Sequence, residues 1–136
     1  MRVITIDFET YYSREYSLSK MTTEAYIRDP RFEVIGVGVK VDDNPPDWYS
    51  GEDVGRFLNS LDYSEDAILA HNTVFDGAIL SWLYGIKPKF WFDTLSMARP
   101  FHHSTVGGSL KALANFYNLG QKGDEIIQGL GKKRND

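Results

Sequence analysis

Residues 3–10 constrain the fold of this chain more than any other segment, because an apolar run there turns acidic. The first part of the segment is apolar and β-branched, which predicts a buried strand. Side chains at i and i+2 leave the same face of a strand, so Asp7 and Glu9 point the same way and Phe8 points into the opposite layer. Because two carboxylates repel each other, either the strand runs out into solvent or the pair binds a divalent cation such as Mg²⁺ or Mn²⁺. These residues alone leave both interpretations open.

The size and composition of the chain bound what it can be. With 136 residues it is long enough for a sizeable core, and we expect residues 1–136 to form a single domain. The apolar fraction of 42% is typical of a folded protein. The absence of cysteine excludes disulfides, thiolate zinc sites and a cysteine nucleophile. The net charge of −4 argues against broad adhesion to duplex DNA, but not against a small acidic metal site that receives one nucleic-acid end.

The start of the chain indicates where the protein works. It has the pattern of a strand and lacks the basic and apolar regions of a signal peptide. No apolar run approaches the length of a membrane span. We therefore expect a cytoplasmic protein without a membrane partner.

Hydrophobic periodicity predicts alternating strands and helices. An antiparallel hairpin is expected at 32–50, around the turn 42–46. The other expected strands are 3–10, 67–70 and 90–92, and the expected helices are 21–28, 52–61, 75–83, 95–99 and 109–117. We expect a loop at 100–108, carrying His102 and His103, and at most a helical turn near 125–127. This order predicts an α/β fold in which helices cover a mixed sheet that contains the hairpin.

An aromatic segment, residues 11–18, lacks a clear period and is expected to be a loop. Its tyrosines either stack on nucleic-acid bases or pack the loop onto the domain. Packing is the expected role for most of them.

A third acid lies far along the chain from the first two. Asp76 is one turn into the helix that follows the strand 67–70. If that strand neighbours the first one, Asp76 reaches toward Asp7 and Glu9, because sites in α/β sheets form where strands end and helices begin. The alternative is a favourable charge in the first turn of a helix, which contributes about 0.3–1 kcal/mol.

Two motifs together resemble those of the DEDD (DnaQ-like) 3′–5′ exonucleases. Residues 7–10 read Asp-x-Glu-Thr, like the first motif of that family, and in residues 71–76 an Asn is followed three residues later by an aromatic residue and then Asp, like the second. Residues 93–99 and 108–111 are similar to the proofreading domains of bacteriophage family A DNA polymerases. The resemblance covers essentially the whole chain and implies a ribonuclease H-like fold.

The resemblance also implies roles for particular residues. Asp7 and Glu9 would ligate the metal that activates the attacking water, with Asp7 bridging to a second metal that Asp76 supports. The two metals would be Mg²⁺ or Mn²⁺, and the reaction would be hydrolysis of the terminal phosphodiester at the 3′ end of single-stranded DNA. The terminal nucleotide would contact four residues: Phe8, Thr10, Asn72 and Phe75.

The chain departs from the family at the third motif, which supplies a fourth carboxylate. That motif is Tyr-x-x-x-Asp or a His followed by Asp, and neither Tyr117 nor the pair His102 and His103 is followed by a matching acid. In the similar polymerases it would lie beyond Asp136, after a basic linker like residues 131–134. We therefore expect a domain that lacks its third motif and is weakly active or inactive alone. A polymerase domain or a downstream chain would complete it.

Two other functions remain open from the sequence. A binding module of the same fold would hold a single-stranded nucleic-acid end without cleaving it, and the missing acid is the feature that favours it. A plain interaction domain would carry the acids as a solvated edge. If an acid already present fills the fourth place, Asp93 and Asp124 are the first to test, although Asp93 most simply caps the helix that follows it.

Overall fold

The computed structural model of the chain describes residues 1–102, 107, 109–117 and 119. In this part of the chain, strands and helices alternate as the periodicity predicts. In chain order they are β1 (Val3–Thr10), α1 (Thr23–Arg28), β2 (Val34–Val41), β3 (Asp47–Ser50), α2 (Asp53–Asn59), β4 (Ala67–Ala70), α3 (Thr73–Tyr84), β5 (Phe90–Asp93), α4 (Thr94–His102) and α5 (Leu110–Phe116). Over these described residues, no helix is long and apolar enough to cross a membrane.

The strands of the described part form one sheet in the order β3-β2-β1-β4-β5, with β1 at its centre. β1 pairs antiparallel with β2, and β2 pairs antiparallel with β3, so the hairpin predicted from the sequence is confirmed. On its other side β1 pairs parallel with β4, and β4 pairs parallel with β5. The predicted α/β fold with a mixed sheet is therefore confirmed.

The core lies on one face of this sheet. Ile4, Ile6 and Phe8 alternate along β1 and are 0%, 2% and 4% exposed. They belong to a buried cluster that also takes in side chains of β2, β4, α2 and α3. Full burial of an apolar side chain of this size stabilises the fold by about 1.5–3 kcal/mol. The same alternation turns Asp7 and Glu9 toward the opposite face.

The acidic end of β1 extends past its parallel neighbour. The last pair between β1 and β4 joins Thr5 to Leu69, whereas the antiparallel pairing with β2 continues to Thr10. The register with β2 shifts between Glu9 and Thr10, and a shift of this kind bends a strand and re-aims its side chains. Beyond Thr5, the side of β1 that β4 leaves uncovered is therefore available to the helix that follows β4.

That helix, α3, begins and ends next to residues with a left-handed backbone. Asn72 precedes it with φ 72°, and Gly85 follows it with φ 66°. Glycine stops helices in this way because it has no Cβ to clash in that conformation. Ile79 and Leu80 are fully buried and fasten α3 to the sheet.

The helical periodicity of the sequence also predicts an apolar stripe along α3, made by Phe75, Ala78, Ile79, Trp82 and Leu83. This prediction is wrong at the end of the helix. Trp82 and Leu83 are 44% and 49% exposed, and Leu80 is buried in their place. The guanidinium of Arg28 lies 4.5 Å from the centre of the Trp82 ring, so a cation from α1 covers the indole instead of the core. Apolar residues occur on more than one side of α3, and the position of the sheet decides which side is buried.

The loop predicted at 100–108 is wrong at its start, because α4 continues through Pro100 to His102. Proline lacks an N–H, so α4 loses one backbone hydrogen bond there without ending. Asp93 accepts from the backbone N–H of Leu95 at 3.0 Å, which confirms it as a cap for α4. His103 and residues 125–127 lie outside the described residues.

An ion pair fixes the start of β1 beside the start of β4. Arg2 donates from its backbone N–H to Oδ1 of Asp66 at 2.9 Å and from Nη2 to Oδ2 at 2.6 Å. Asp66 is only 5% exposed. Hydrogen bonds from the side chain and backbone of Arg2 hold the pKa of Asp66 below its ordinary value. This contact holds the end of the sheet opposite to the acids.

Candidate active site

The two acids of β1 take the positions that strand alternation predicts. Asp7 is exposed and Glu9 is partly buried, whereas Phe8 between them is buried in the core. The two carboxylates therefore leave one face of β1 at its open end.

Asp76 comes next to this pair across the fold, although 68 residues of sequence separate it from Phe8. Its Oδ1 accepts from the backbone N–H of Phe8 at 3.1 Å. That N–H lies on β1 beyond the end of β4, where no parallel partner strand is present to accept from it. The first turn of α3 thus supplies the hydrogen-bond acceptor that a neighbouring strand would otherwise supply. It places the carboxyl group of Asp76, which is only 5% exposed, against Phe8, the residue between Asp7 and Glu9.

The pKa of Asp76 depends on the charges of the other two acids. Burial, and to a smaller degree the negative charges of Asp7 and Glu9, raise the pKa of Asp76 to about 7, against the lowering effect of the Phe8 N–H. A carboxyl group in this setting is half protonated near neutral pH. A cation placed among the three would favour the charged form.

Oxygen ligands of this type fit Mg²⁺ or Mn²⁺ better than any softer metal. In the described part of the chain, however, no three His, Cys, Asp or Glu side chains are gathered closely enough to hold a metal ion. Asp7, Glu9 and Asp76 are therefore neighbours whose chemistry suits a divalent cation, but their side chains are not close enough together to form a complete metal site. The metal site stays a prediction.

A cavity of about 230 Å³ opens beside the acids. Three of the four residues predicted to contact the terminal nucleotide line it, namely Phe8, Thr10 and Phe75, together with Glu9. Four lining residues were not predicted for this role: Tyr12, Ser17, Leu18 and Tyr26. The sequence signal nearest to them is the aromatic character of the loop 11–18, and packing is the expected role of most tyrosines of that loop.

Asn72, the fourth predicted contact, does not line this cavity. Its backbone is left-handed, its side chain makes no capping bond to α3, and its backbone N–H donates to Oδ1 of Asp93 at 2.8 Å. The contribution of Asn72 in this structure is the turn from β4 into α3. Its contact with a nucleotide stays a prediction.

Asp93 is occupied by local hydrogen bonds. Besides Asn72 and Leu95, it accepts from the Ser96 hydroxyl at 3.2 Å. Burial alone would raise the pKa of Asp93, but the backbone N–H groups of Asn72 and Leu95 outweigh it and lower the pKa. These bonds fix Asp93 as a structural group of the β4–α3 turn and α4.

No protein-family model and no curated protein sequence matches this chain. Solved structures do resemble it. Brucella melitensis NrnC with bound Mg²⁺ has a TM-score of 0.65 and 17% identity, over 90% of this chain and 56% of that one. The same protein bound to pGG has a TM-score of 0.64 and 17% identity, over 90% and 55%. A structure described as the apo form of a nuclease has a TM-score of 0.66 and 18% identity, over 95% and 57%.

The chain has an α/β, ribonuclease H-like fold, as predicted. At these levels of identity the likeness is one of fold. The chain spans little more than half the length of these solved proteins.

Proposed function

We propose that this chain is the part of a 3′–5′ exonuclease of the DEDD type that carries the first two acidic motifs. The observation that supports this most is the hydrogen bond from the Phe8 N–H to Asp76, which brings the second motif onto the first. The cavity beside these acids has an aromatic lining of the kind on which nucleic-acid bases stack. The nuclease fold and the Mg²⁺ bound to NrnC agree with this proposal.

Each residue has a role in this proposal. Asp7 and Glu9 would hold one divalent cation, Mg²⁺ or Mn²⁺, and Asp7 and Asp76 would support the second. When bound, the two cations supply hydroxide near neutral pH and stabilise the charge of the leaving oxygen. The walls of the cavity, including Phe8 and Phe75, orient the terminal nucleotide against the acids.

The substrate in this proposal is the 3′ end of single-stranded DNA, and the biological role is proofreading for a phage-type DNA polymerase of family A. The pGG bound to NrnC agrees with a nucleic-acid substrate. The fourth carboxylate comes from sequence beyond Asp136 or from a partner chain. Losing one charge-stabilising group costs about 10²–10³ in rate, so the 136-residue chain is expected to be weakly active or inactive alone.

The second candidate is a binding module of the same fold, which holds a single-stranded end without chemistry. It is favoured by the lack, among the described residues, of three metal-binding side chains gathered at one point.

The experiment is degradation of a 5′-labelled single strand, DNA or RNA, in the presence of Mn²⁺. Three proteins are compared: this chain, the chain extended by the sequence that follows Asp136 in its gene, and the extended chain with Asp7→Ala. Cleavage by the extended chain alone supports the exonuclease. Binding of 3′ ends without cleavage by any of them supports the module. Robust, Asp7-dependent cleavage by the short chain contradicts the proposed incompleteness.

A further inference from the structure

The face of the sheet that carries the acids continues from β1 onto the hairpin formed by β2 and β3. Asp7 pairs with Gly38 and Gly38 pairs with Trp48, so these three positions form one row across the sheet. Directly paired residues leave the same face. In the next row Glu9 pairs with Gly36. Trp48 therefore lies on the face of the acids, and in these two rows β2 has only glycine between them.

Trp48 fills space that a glycine leaves open. Its Cη2 atom lies 2.6 Å from the position that a Cβ at Gly36 would take, and its Cζ2 atom overlaps the same position. A side chain at Gly36 would therefore displace the indole. Neighbouring strands are about 4.8 Å apart. The six-membered ring of Trp48 is thus about one strand spacing from the backbone of Glu9, the partner of Gly36.

Packing in the core does not account for this tryptophan. Trp48 is 53% exposed and lies on β3, at the edge of the sheet in the described part of the chain. Its neighbour Tyr49 points to the core face instead, where its ring stacks on Phe57 with the centroids 4.0 Å apart. An exposed indole on an edge strand adds little to the core and favours association with other molecules. The hairpin therefore presents a free aromatic surface beside the acids.

A basic side chain lies on the same face. Lys40 is two residues beyond Gly38 on β2, so it leaves the face that Asp7 and Trp48 share. Diagonal neighbours in a sheet are about 7–8 Å apart, which is within reach of a long side chain. Aromatic rings with cations beside them are the combination with which proteins bind single-stranded nucleic acids.

The acids lie between the indole and the cavity at the end of β1. Glu9 lines that cavity, whereas Asp7 does not and stands in the row of Trp48. In the proposed function the terminal nucleotide occupies the cavity and the phosphate to be cleaved lies at the acids. That phosphate joins the terminal nucleotide to the second one. The second nucleotide is therefore on the side of the acids where Trp48 lies.

We propose that Trp48 is a stacking platform for the base of the second nucleotide from the 3′ end of a single strand, with Lys40 beside it to contact a backbone phosphate. This inference rests on the proposed function, because it places the terminal nucleotide in the cavity. It adds to that function a surface on the hairpin, outside both acidic motifs. Every base has a face on which an aromatic ring can stack, so the platform holds the strand without reading its sequence.

The test is binding of short, labelled single strands of DNA to the 136-residue chain, followed by fluorescence anisotropy with Ca²⁺ present to prevent cleavage. Trp48→Ala should raise Kd about 5-fold to 150-fold, the range of one base–aromatic stack. Trp48→Phe keeps an aromatic ring and should keep most of the affinity. Trp82→Ala is the matched control, because Trp82 is also exposed, at 44%, but lies on α3 outside the cavity, and it should bind like the wild type.

A strand with an abasic site at its second nucleotide tests the same contact from the side of the ligand. The wild type should bind it more weakly by about the factor that Trp48→Ala loses, whereas an abasic site near the 5′ end should cost nothing. In Trp48→Ala the abasic site at the second nucleotide should add no further loss, because the stack is already absent. The wild-type comparison does not depend on the folding of any variant.

The salt dependence of Kd tests Lys40. Each phosphate contact to a single strand contributes about 0.7 to the slope of log Kd against log salt concentration. Lys40→Gln should reduce the slope by about this amount. Lys89→Gln removes the same charge from a lysine that pairs with Glu65, and should leave the slope unchanged.

The outcomes distinguish this inference from the function on which it rests. If the wild type binds no single strand, the proposed function and the inference both fail. If it binds strands but Trp48→Ala binds them as tightly, or the abasic site at the second nucleotide costs the wild type nothing, only the inference is overturned. An equal loss in Trp82→Ala would mean that exposed tryptophans hold the strand at no fixed place, which also overturns it. An unchanged slope in Lys40→Gln overturns the role of Lys40.

Discussion

At the scale of single residues, the burial of Asp76 carries an electrostatic cost. It is buried, bonded to the Phe8 N–H and raised in pKa to about 7 by burial and by the charges of Asp7 and Glu9. In the unfolded chain an aspartic acid titrates near ~3.9. Between these two values the native state keeps a proton that the unfolded state has lost, so the contribution of Asp76 to stability falls as pH rises.

This predicts the pH dependence of unfolding. Without divalent cations, the free energy of unfolding should decline between about pH 4 and pH 7, by at most about 4 kcal/mol for a shift of this size. Asp76→Asn keeps an acceptor for the Phe8 N–H and should remove that decline, which urea titrations at several pH values would measure. Asp66→Asn should act in the opposite direction and lower stability at neutral pH, because the pKa of Asp66 is lowered by Arg2. An unchanged slope in Asp76→Asn would contradict the assignment.

The same charges predict a response to metal. Mg²⁺ or Mn²⁺ at tenfold over its Kd should stabilise the fold by about 1.4 kcal/mol, which raises Tm by roughly 4–7 °C in a chain of this size. Asp7→Ala should lose most of this gain. Asp43→Ala, at an exposed acid in the turn between β2 and β3, serves as the control and should keep it. An equal shift in Asp7→Ala would mean that the cation binds elsewhere.

Asn72 allows its backbone and its side chain to be tested separately. Its φ of 72° suits glycine and disfavours alanine, so Asn72→Ala should lower stability by about 1–2 kcal/mol, whereas Asn72→Gly should not lower it. If the amide contacts the terminal nucleotide as predicted, both variants should weaken binding of a single-stranded 3′ end. Binding by Asn72→Gly as tight as that of the wild type would show that Asn72 serves only the turn.

At the scale of elements, the sequence was sufficient for most strands and helices, because β-branched runs and turn residues mark them locally. The strand 67–70 and the hairpin strand 47–50 have the predicted bounds. Which side of α3 faces the sheet could not be predicted, since Leu80 and Leu83 are equally apolar and only the position of β1 and β4 distinguishes them. The approach of Asp76 to Asp7 and Glu9 was predicted only conditionally, because it depends on β4 lying beside β1.

The two leucines of α3 give a prediction for this scale. Leu80→Ala should destabilise the fold by about 2–5 kcal/mol, because Leu80 is completely buried. Leu83→Ala, at a side chain 49% exposed on the same helix, should cost much less. Chemical denaturation of the two variants measures the difference. Equal losses would contradict the orientation of α3.

At the scale of the whole molecule, the contacts that make the cavity come from parts of the chain that no local pattern connects. Thr10 ends β1, Tyr26 lies in α1 and Phe75 lies in the first turn of α3, yet all three line one cavity. The resemblance to two sequence motifs singled out Thr10 of β1 and Phe75 of α3, because each motif has a fixed internal spacing. It did not identify Tyr26, because the place of Tyr26 in the cavity depends on α1 folding back over the end of β1.

The bond between Asp76 and the Phe8 N–H has a consequence for how this protein can vary. Asp76 of α3 accepts a hydrogen bond from the main chain of β1 and not from a side chain. The contact between the two acidic segments therefore does not depend on which side chain residue 8 carries. Any residue that fills the core at position 8 keeps this hydrogen bond, except proline, which has no backbone N–H to donate. Substitutions at position 8 can thus reshape one wall of the cavity without disturbing the contact between the two acidic segments.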